Sequence, residues 1–511
     1  MQKRRALTQE GFTIVELLIV VIVIAILATI TVIAFNGVQR SAARSVVMSD
    51  LEQAAKEIEN HKSTNGSTPA TMSVVDNGKG LKGSPGTTYE YTLTGVNYCV
   101  TATSPKAATS YYFDSTIGKI LEGKCAGHIG YQSSAGAGVS QFSVGANTSC
   151  RIRDGVLYCW GRNEDFGHLG VGGFVNALVP SAAATASSGL VSGKVVSKVE
   201  MGYYHTCALA DGLPYCWGWA YLGNGANSAA GTAPVAVTVS GVLSGKTITD
   251  MGLGYRRTCV VASGKAYCWG VSDLGNNGTF STNPVAVDDT GVLSGKTVTK
   301  IAVGASFSCV LADGAPYCWG NNAAGQLGDG TTVTKNYPVA VITSGVLSGK
   351  TITDLIAGED HACVIADGAP YCWGNNSYGA LGMGSGTTNQ SSPVAVSMSG
   401  VLSGKTVTSM AMGAMFTCAI ASGQAYCWGY NIYGELGKGD SGPWNNAAPT
   451  AVTASGVLSG KTLTSIEAGQ YHACVIDTAN AMYCWGRNAY GQLGNNSTTD
   501  SNVPVTVNAL P

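Results

Sequence analysis

The chain begins with a long apolar pattern that predicts a membrane-spanning helix. The 24 residues of 12–35 include a single charged side chain, Glu16. A helix of this length spans ~36 Å, which is enough to cross a bilayer. Lys3, Arg4 and Arg5 precede it, so the positive-inside rule keeps the start of the chain in the cytoplasm. We therefore expect the rest of the chain to lie outside the cell.

An amphipathic pattern follows and predicts that the helix continues to about residue 63. The apolar positions that share one helix face are Val47, Leu51, Ala54, Ala55 and Ile58. Asn65, Gly66 and Pro69 end the pattern. Residues 87–125 then carry alternating apolar and polar patterns, as strands do, and predict a small sheet. A Gly- and Ala-rich linker follows at 127–138.

Residues 139–511 repeat one pattern of four short strands seven times. Each unit contains Cys-Trp-Gly, and the tryptophans are Trp160, Trp217, Trp269, Trp319, Trp373, Trp428 and Trp485. Periods near 50 residues indicate solenoids or propeller blades, and seven four-stranded units predict a closed all-β propeller. We expect the last strand, at 504–507, to pair into the blade that begins at 139–144, because such closure protects sheet edges.

Close cysteine pairs flank a predicted hairpin turn in each unit. In the second unit, the turn at Asp211 and Gly212 places Cys207 opposite Cys216 in a non-hydrogen-bonded pair, where side chains lie closest. The seven pairs are Cys150–Cys159, Cys207–Cys216, Cys259–Cys268, Cys309–Cys318, Cys363–Cys372, Cys418–Cys427 and Cys474–Cys484. They predict one cross-strand disulfide per blade; free buried thiols are the alternative.

Composition narrows the possible classes of protein. Sixteen cysteines in regular pairs indicate an oxidising compartment. A net charge of −1, with only 12% charged residues, excludes a generally basic nucleic-acid binder and a highly charged disordered chain. We therefore expect no nucleic-acid partner.

The first residues resemble the signal of type IV pilins. Basic residues, Gly11, Phe12 and then Glu16 have the spacing of that family. The resemblance implies that a prepilin peptidase removes residues 1–11 and methylates Phe12, and that Glu16 pairs with the terminal amine of a neighbouring subunit. It also implies a small α+β pilin head at 64–126, with its sheet packed on the helix and one disulfide, for which Cys99 and Cys125 are the candidates. A plain signal anchor is the alternative interpretation.

The repeat resembles that of the regulator of chromosome condensation. Residues 202–206 carry its Gly-x-x-His-Thr element, and 319–328 carry Trp-Gly-Asn-Asn followed by Gly-Gln-Leu-Gly. The disulfides and an inserted Ser-Gly-Val-Leu-Ser-Gly-Lys segment, as at 344–350, depart from the family pattern. The resemblance implies the fold only, since a nuclear exchange role does not suit an anchored protein in an oxidising compartment.

No pattern of catalytic or metal-binding residues stands out. His205, His361 and His472 occupy one repeat position on different blades, so we expect a role in blade packing. Compact metal-ligand spacings, phosphate-binding loops and nucleophile elbows are missing from the sequence. We expect no enzyme activity, no cofactor and no metal.

Recognition is the better-supported function. Two positions after a repeated Gly vary from unit to unit, which shows that the scaffold does not dictate them. The candidate ligand-binding residues at these positions are Tyr203, Tyr204, Tyr255, Arg256, Glu359, Asp360, Gln470 and Tyr471. Further aromatic residues follow the Trp-Gly elements. Tyr and Arg are favoured anchors of binding surfaces.

The sequence therefore predicts a type IV pilus subunit, of the minor or tip kind, that displays a binding propeller. Its partners would be other pilins through residues 12–63, the prepilin peptidase and an extracellular protein or glycan. It would sit in the bacterial cytoplasmic membrane before assembly and then on the cell surface. The alternatives are a pseudopilin of a secretion system, a surface-anchored propeller enzyme and an enzyme inhibitor.

Overall fold

The computed structural model describes two compact units, 1–138 and 139–511. The described residues are 45–69, 84, 87–94, 97–103, 110–115, 119–122, 142–153, 155–182, 191, 194–219, 221–226, 231–271, 273–442 and 445–510. Four predictions lie outside them: the helix at 12–35, the processing residues Gly11, Phe12 and Glu16, the linker, and the pairing of Cys99 with Cys125. Among the described residues, no helix has the length and apolar character needed to cross a bilayer.

The first unit is a helix packed on a small antiparallel sheet. The helix covers 45–65, and the predicted apolar face from Val47 to Ile58 is buried. The sheet strands are β1 Thr88–Thr94, β2 Asn97–Thr103, β3 Ser110–Asp114 and β4 Lys119–Glu122, in that order. Leu51 and Ile58 of the helix pack against Tyr98 and Val100 of β2. The amphipathic prediction is therefore confirmed for this part of the chain.

The second unit consists of seven four-stranded antiparallel sheets, as the repeat predicts. We label the strands of each blade A to D in chain order. Blades 1 and 2 are Phe142–Val144, Thr148–Arg153, Val156–Gly161, Ala177–Ala182; and Val196–Met201, His205–Ala210, Leu213–Gly218, Gly231–Ala236. Blades 3 and 4 are Ile248–Leu253, Arg257–Ala262, Lys265–Val271, Phe280–Ala286; and Val298–Val303, Phe307–Ala312, Ala315–Gly320, Lys335–Ala340. Blades 5 and 6 are Ile352–Ala357, His361–Ala366, Ala369–Gly374, Gln390–Ala395; and Val407–Met412, Phe416–Ala421, Gln424–Gly429, Asn446–Ala451. Blade 7 is Leu463–Ala468, His472–Asp477, Met482–Gly486, Ser501–Thr506. Short 3₁₀ helices lie at Gly400–Leu402 and Gly456–Leu458.

The ring does not close by exchange of a strand, so the prediction for residues 504–507 is wrong. Strand D of blade 7 pairs with strand C of its own blade, with Val505 opposite Cys484. The outer position of blade 1 is already filled by its own strand, Ala177–Ala182. Closure occurs instead by packing, because Phe142 and Trp160 of blade 1 share a core with Ile476 of blade 7.

Each blade carries the predicted hairpin disulfide. Seven disulfides join strands B and C, with Cα–Cα distances of 4.0–4.1 Å. In blade 2 the turn residues Asp211 and Gly212 both have positive φ, and Cys207 lies directly opposite Cys216. The turn thus sets the register that brings the two sulfurs together.

The strand order defines two ends of the propeller. The A–B and C–D loops lie at one end, which we call the front face. The B–C turns and D–A loops lie at the other, the back face. The strands, disulfides and core clusters of this unit all come from residues 142–507. We therefore expect 139–511 to fold by itself.

Candidate functional site

Seven glycines form a tight ring around the propeller axis, at the ends of the A strands. A Cβ added to Gly254 would come 2.3 Å from the carbonyl oxygen of Gly304, and one on Gly469 would come 2.0 Å from that of Gly145. The same relation links each glycine to the next around the ring. The glycines are Gly145, Gly202, Gly254, Gly304, Gly358, Gly413 and Gly469. Any side chain here would push neighbouring blades apart, which explains why the repeat keeps Gly at this position.

A cavity of about 110 Å³ lies on the axis next to this ring. Except for Tyr255, the residues that follow the glycines line it, together with the glycines themselves and the last residues of the A strands. Ten of its twenty lining residues are Ala, Val, Leu or Met, among them Met201 and Met412, and seven are the ring glycines, which contribute backbone. Glu359 is the one charged residue among the described residues that line it.

Glu359 is held by two tyrosines from blades on the other side of the axis. The hydroxyls of Tyr203 and Tyr255 both donate to its Oε1, the second at 2.5 Å. The two rings lie close together, with centroids 4.0 Å apart. Burial and the nearby Glu359 carboxylate raise the pKa of Tyr203, so its hydroxyl stays protonated and remains a donor.

Aromatic side chains and arginines surround the axis on the front face. In blades 1 to 3, the guanidinium of Arg256 lies 3.8 Å from the ring centroid of Trp219. Phe166 stacks on Trp219 at 5.5 Å, and Tyr204 meets the same indole edge-on at 5.3 Å. These four side chains are half-buried, so each keeps part of its surface open to solvent.

A second aromatic group lies on blades 5 to 7. Tyr430 contacts Tyr378 at 5.0 Å and Tyr471 at 6.1 Å between ring centroids. Tyr471 also meets Tyr433 at 5.4 Å. Arg487 lies over Tyr433 and Tyr471, at 5.1 and 5.7 Å from the centroids.

Arg162 joins the two groups into one surface. Its guanidinium lies 4.8 Å from the ring centroid of Tyr490 and 5.6 Å from that of Phe166. We call the connected set the aromatic arc: Arg162, Phe166, Tyr203, Tyr204, Trp219, Tyr255, Arg256, Tyr378, Tyr430, Tyr433, Tyr471, Arg487 and Tyr490. Blade 4 interrupts it, with Ala305, Ser306, Asn321 and Ala324 at the corresponding positions. The front face therefore presents a continuous, partly exposed surface of rings and guanidinium groups.

Buried contacts between blades fix the loops that carry this arc. The indole N–H of Trp217 donates to the backbone carbonyl of His168 at 2.7 Å. The indole N–H of Trp485 donates to the backbone carbonyl of Glu435 at 2.8 Å. The same bond recurs at four more blade junctions, made by Trp160, Trp319, Trp373 and Trp428. Each of these six tryptophans thus anchors the C–D loop of the preceding blade, and the front face is preorganised. The indole N–H of Trp269 makes no such bond.

The repeated histidines make side-chain hydrogen bonds between neighbouring blades. The Nε2 atoms of His205 and His361 lie 2.7 and 2.9 Å from the hydroxyl oxygens of Thr258 and Thr417. Burial lowers the pKa of both histidines to about 3, so they are neutral. This contact accounts for their repeat position, and it leaves both rings inside the wall of the propeller.

The structure brings together most of the binding residues that the sequence predicts. Tyr203, Tyr255 and Glu359 meet at the axis, and Gln470 lines the cavity. Asp360 instead accepts a hydrogen bond from Gln326 at 3.1 Å. Tyr204, Arg256 and Tyr471 belong to the arc. Sequence reasoning missed Arg162 and Arg487, whose signal was their shared position directly after Trp-Gly in blades 1 and 7.

Two further aromatic residues follow Trp-Gly elements, Tyr221 and Trp444. Tyr221 packs on Phe280, with ring centroids 4.6 Å apart. Trp444 lies outside the described residues. Within the described ranges, no group of three or more His, Cys, Asp or Glu side chains is placed to hold a metal ion.

The comparisons with known proteins agree with the propeller geometry. Residues 221–511 match the family described as RCC1-like domain, and residues 154–209 match the regulator of chromosome condensation (RCC1) repeat. The chain is similar to the ultraviolet-B receptor UVR8 of Arabidopsis thaliana, with 29% identity over 374 residues, covering 71% of this chain and 69% of that protein. It is also 28% identical to the human E3 ubiquitin-protein ligase HERC2 over 366 residues, which are 70% of this chain and 6% of that protein.

Solved structures show the same fold at low identity. Human WBSCR16 superposes with a TM-score of 0.59 at 20% identity, covering 70% of this chain and 94% of that one. Yeast RCC1 superposes with a TM-score of 0.58 at 17% identity, covering 72% and 86%. In all four comparisons the matched part amounts to about the length of the propeller unit.

Proposed function

The chain belongs to the RCC1-like domain family, and on this premise we propose that its propeller is a binding head displayed outside a bacterial cell by a type IV pilin segment. The aromatic arc is the observation that carries the binding role. Rings and guanidinium groups supply most of the energy of typical recognition surfaces. Here they are held in place by buried tryptophan and histidine contacts, so little ordering is needed on binding.

The kind of partner follows from the chemistry of the arc. Stacked rings and delocalised cations suit a protein epitope with aromatic or acidic groups, or a glycan that stacks on aromatic faces. One matching relative is named a receptor, which is in keeping with a recognition role for such a propeller. The head would therefore mediate adhesion or partner recognition without chemistry.

The pilus part of the proposal is supported by the leader pattern around Gly11, Phe12 and Glu16. A helix packed on a four-stranded sheet at 45–122 also suits a pilin head. Seven disulfides suit display outside the cell, where they persist. The subunit would pass through the cytoplasmic membrane and then enter the pilus by its first helix.

Sheared pili from a piliated bacterium that expresses the full chain test this assignment. Mass spectrometry should find a mature chain that begins at methylated Phe12 in the pilus fraction. Gly11→Val should leave the leader attached, and Glu16→Ala should allow cleavage but keep the chain out of pili. An uncut chain that stays in the membrane fraction would contradict the pilin assignment and favour a signal anchor.

A separate experiment tests the binding face. Purified 139–511 is screened against cells, glycans and secreted proteins, and any affinity found is then measured for variants. Trp219→Ala and Arg487→Ala should each weaken binding at least tenfold. Val346→Ala serves as the control, because Val346 is exposed on the back face. Equal losses for the control and the arc variants, or none for the arc variants, would refute the assignment of the front face.

A further inference from the structure

The axial cavity differs in chemistry from the arc around it. Aliphatic side chains and glycine backbone form most of its walls, and Tyr203 and Gln470 also line it. Glu359 is the one charged residue among the described lining residues. The guanidinium groups of Arg256 and Arg487 contact the rings of the arc. Neither arginine lines the cavity.

The hydrogen bonds of Glu359 leave one oxygen available. Tyr203 and Tyr255 both donate to Oε1. Within the described part of the chain, Oε2 accepts no hydrogen bond. The two tyrosines thus orient the carboxylate without satisfying it, since an ionised carboxylate can accept about four hydrogen bonds.

The cavity is large enough for more than water. Its volume of about 110 Å³ is several times the ~10–15 Å³ that one water needs. Aliphatic lining residues next to one carboxylate suit a ligand with an alkyl stem and a cationic end. An anion would meet the Glu359 carboxylate, and a neutral apolar group would leave that charge buried and unpaired.

We propose that the axial cavity binds an aliphatic primary ammonium group, with its alkyl stem against Met201, Val303 and Met412 and its N–H groups on Glu359 Oε2. The ring of Tyr203, which lines the cavity beside the carboxylate, adds cation–π stabilisation. This inference rests on the proposed use of the front face for recognition. The ammonium would be either a lysine side chain presented by a protein partner or a free alkylamine.

Two methionines that line the cavity report its occupancy directly. Methyl-¹³C-methionine labelling of 139–511 gives NMR signals for Met201 and Met412 in the cavity, and for Met482 in the core between blades 7 and 1. We expect n-butylamine to shift the Met201 and Met412 signals and to leave that of Met482 in place. The neutral analogue 1-butanol should bind at least tenfold more weakly.

Substitutions then test the role of the carboxylate. Glu359→Gln keeps an acceptor for the two tyrosines and should weaken butylamine binding about tenfold or more. Asp360→Asn is the matched control, because Asp360 binds Gln326 instead of lining the cavity. Equal binding of butanol, unchanged affinity in Glu359→Gln, or no shift with butylamine would each overturn the proposal.

A capped lysine, Nα-acetyl-lysine methylamide, separates the two sources of the ammonium group. Tighter binding than that of butylamine assigns the cavity to a lysine of a protein partner, and weaker binding assigns it to free amines; both outcomes support ammonium recognition. The amine measurements and the arc variants give separate readouts, so failure of one proposal can be told from failure of the other. If Trp219→Ala abolishes partner binding while no amine shifts the methionines, the cavity proposal alone fails. If amines bind but arc variants keep full partner affinity, the proposed face fails and the cavity stands.

Discussion

His472 Nε2 lies 3.0 Å from the Oγ of Ser149, and this contact joins the last blade of the propeller to the first. The same hydrogen-bond contact recurs between His205 and Thr258 and between His361 and Thr417. Blades 4 and 6 carry Phe307 and Phe416 instead of His, and the next blade then has alanine in place of the hydroxyl. Equivalent positions at the blade junctions are thus filled by one of two pairs, either His with a hydroxyl residue or Phe with Ala.

These pairings predict that a second substitution restores the stability lost by a first one at the junction between blades 7 and 1. His472→Phe alone should lower the free energy of unfolding of 139–511 by about 1–3 kcal/mol, because it removes a buried hydrogen bond and places a ring against the Ser149 hydroxyl. Adding Ser149→Ala recreates the pairing of Phe416 with Ala473 and should restore most of the loss. Thermal unfolding at pH 7.5 measures all four forms. Purely additive losses would show that the two residues are not coupled.

Acid should destabilise the propeller through the buried histidines. Burial lowers the pKa of His205, His361 and His472 to about 3, against 6.5 for a free side chain. Since their folded pKa is depressed, their neutral forms stabilise the fold fully above pH 6.5. This stability is lost as the pH falls from 6.5 towards 3.

The double variant His361→Phe with Thr417→Ala tests this dependence. Below pH 6, the free energy of unfolding of this variant should fall by about 1.4 kcal/mol less per pH unit than that of the wild type. Melting temperatures of 139–511 at pH 7.5, 5.5 and 4.5 provide the comparison. A parallel pH profile for both proteins would mean that His361 titrates normally in the folded state.

Local signals in the sequence were enough to predict the blades but not how they meet. The Asp-Gly turn sets which residues face each other, so the pairing of Cys207 with Cys216 could be counted from the turn. Ring closure depends on contacts between residues more than 300 positions apart, such as Ser149 and His472. The period of the repeat carries no information on them. The His–hydroxyl and Phe–Ala alternation was present in the sequence and would have indicated these junctions.

The candidate site shows the same limit. Variation after the repeated Gly indicated candidate binding residues in one repeated loop, and the structure has these A–B loops on the front face. The meeting of Glu359 with Tyr203 and Tyr255 could not be read from it, because these residues come from blades 5, 2 and 3. Only the curvature of the closed ring brings their side chains to one point on the axis.

The hairpin disulfides should resist reduction in the folded protein. All fourteen cysteines of the seven disulfides are buried. Mild reductant followed by iodoacetamide should label none of them in native 139–511, and all of them in denaturant. Replacing both Cys309 and Cys318 by alanine should cost about 2.7 kcal/mol, from the loop-closure entropy of the unfolded hairpin. Rapid labelling of several thiols in the native state would contradict this buried arrangement.

The last prediction concerns Glu435, a fully buried carboxyl at a position where blades 4 and 7 have Gln. Its Oε2 accepts the backbone N–H of Tyr433 at 2.9 Å, just as Gln492 Oε1 accepts that of Tyr490 at 2.9 Å. Glu435 Oε1 has no hydrogen-bond partner. Burial raises the pKa of Glu435 to about 8, so its neutral form is favoured in the folded protein.

The sign of the effect follows from this raised pKa. A carboxyl that is harder to ionise in the folded state does not lower the free energy of unfolding at pH values below its unfolded pKa of 4.5. It then destabilises the fold progressively as the pH rises to about 8. Glu435→Gln should therefore melt at the wild-type temperature at pH 4 and at least roughly 2–4 °C higher at pH 8. Gln492→Glu is the converse variant, since it places the same carboxyl at the next junction and should lower the melting temperature only above pH 4.5. If the Glu435→Gln difference is the same at both pH values, the gain comes from packing or hydrogen bonding and the buried carboxyl does not titrate as described.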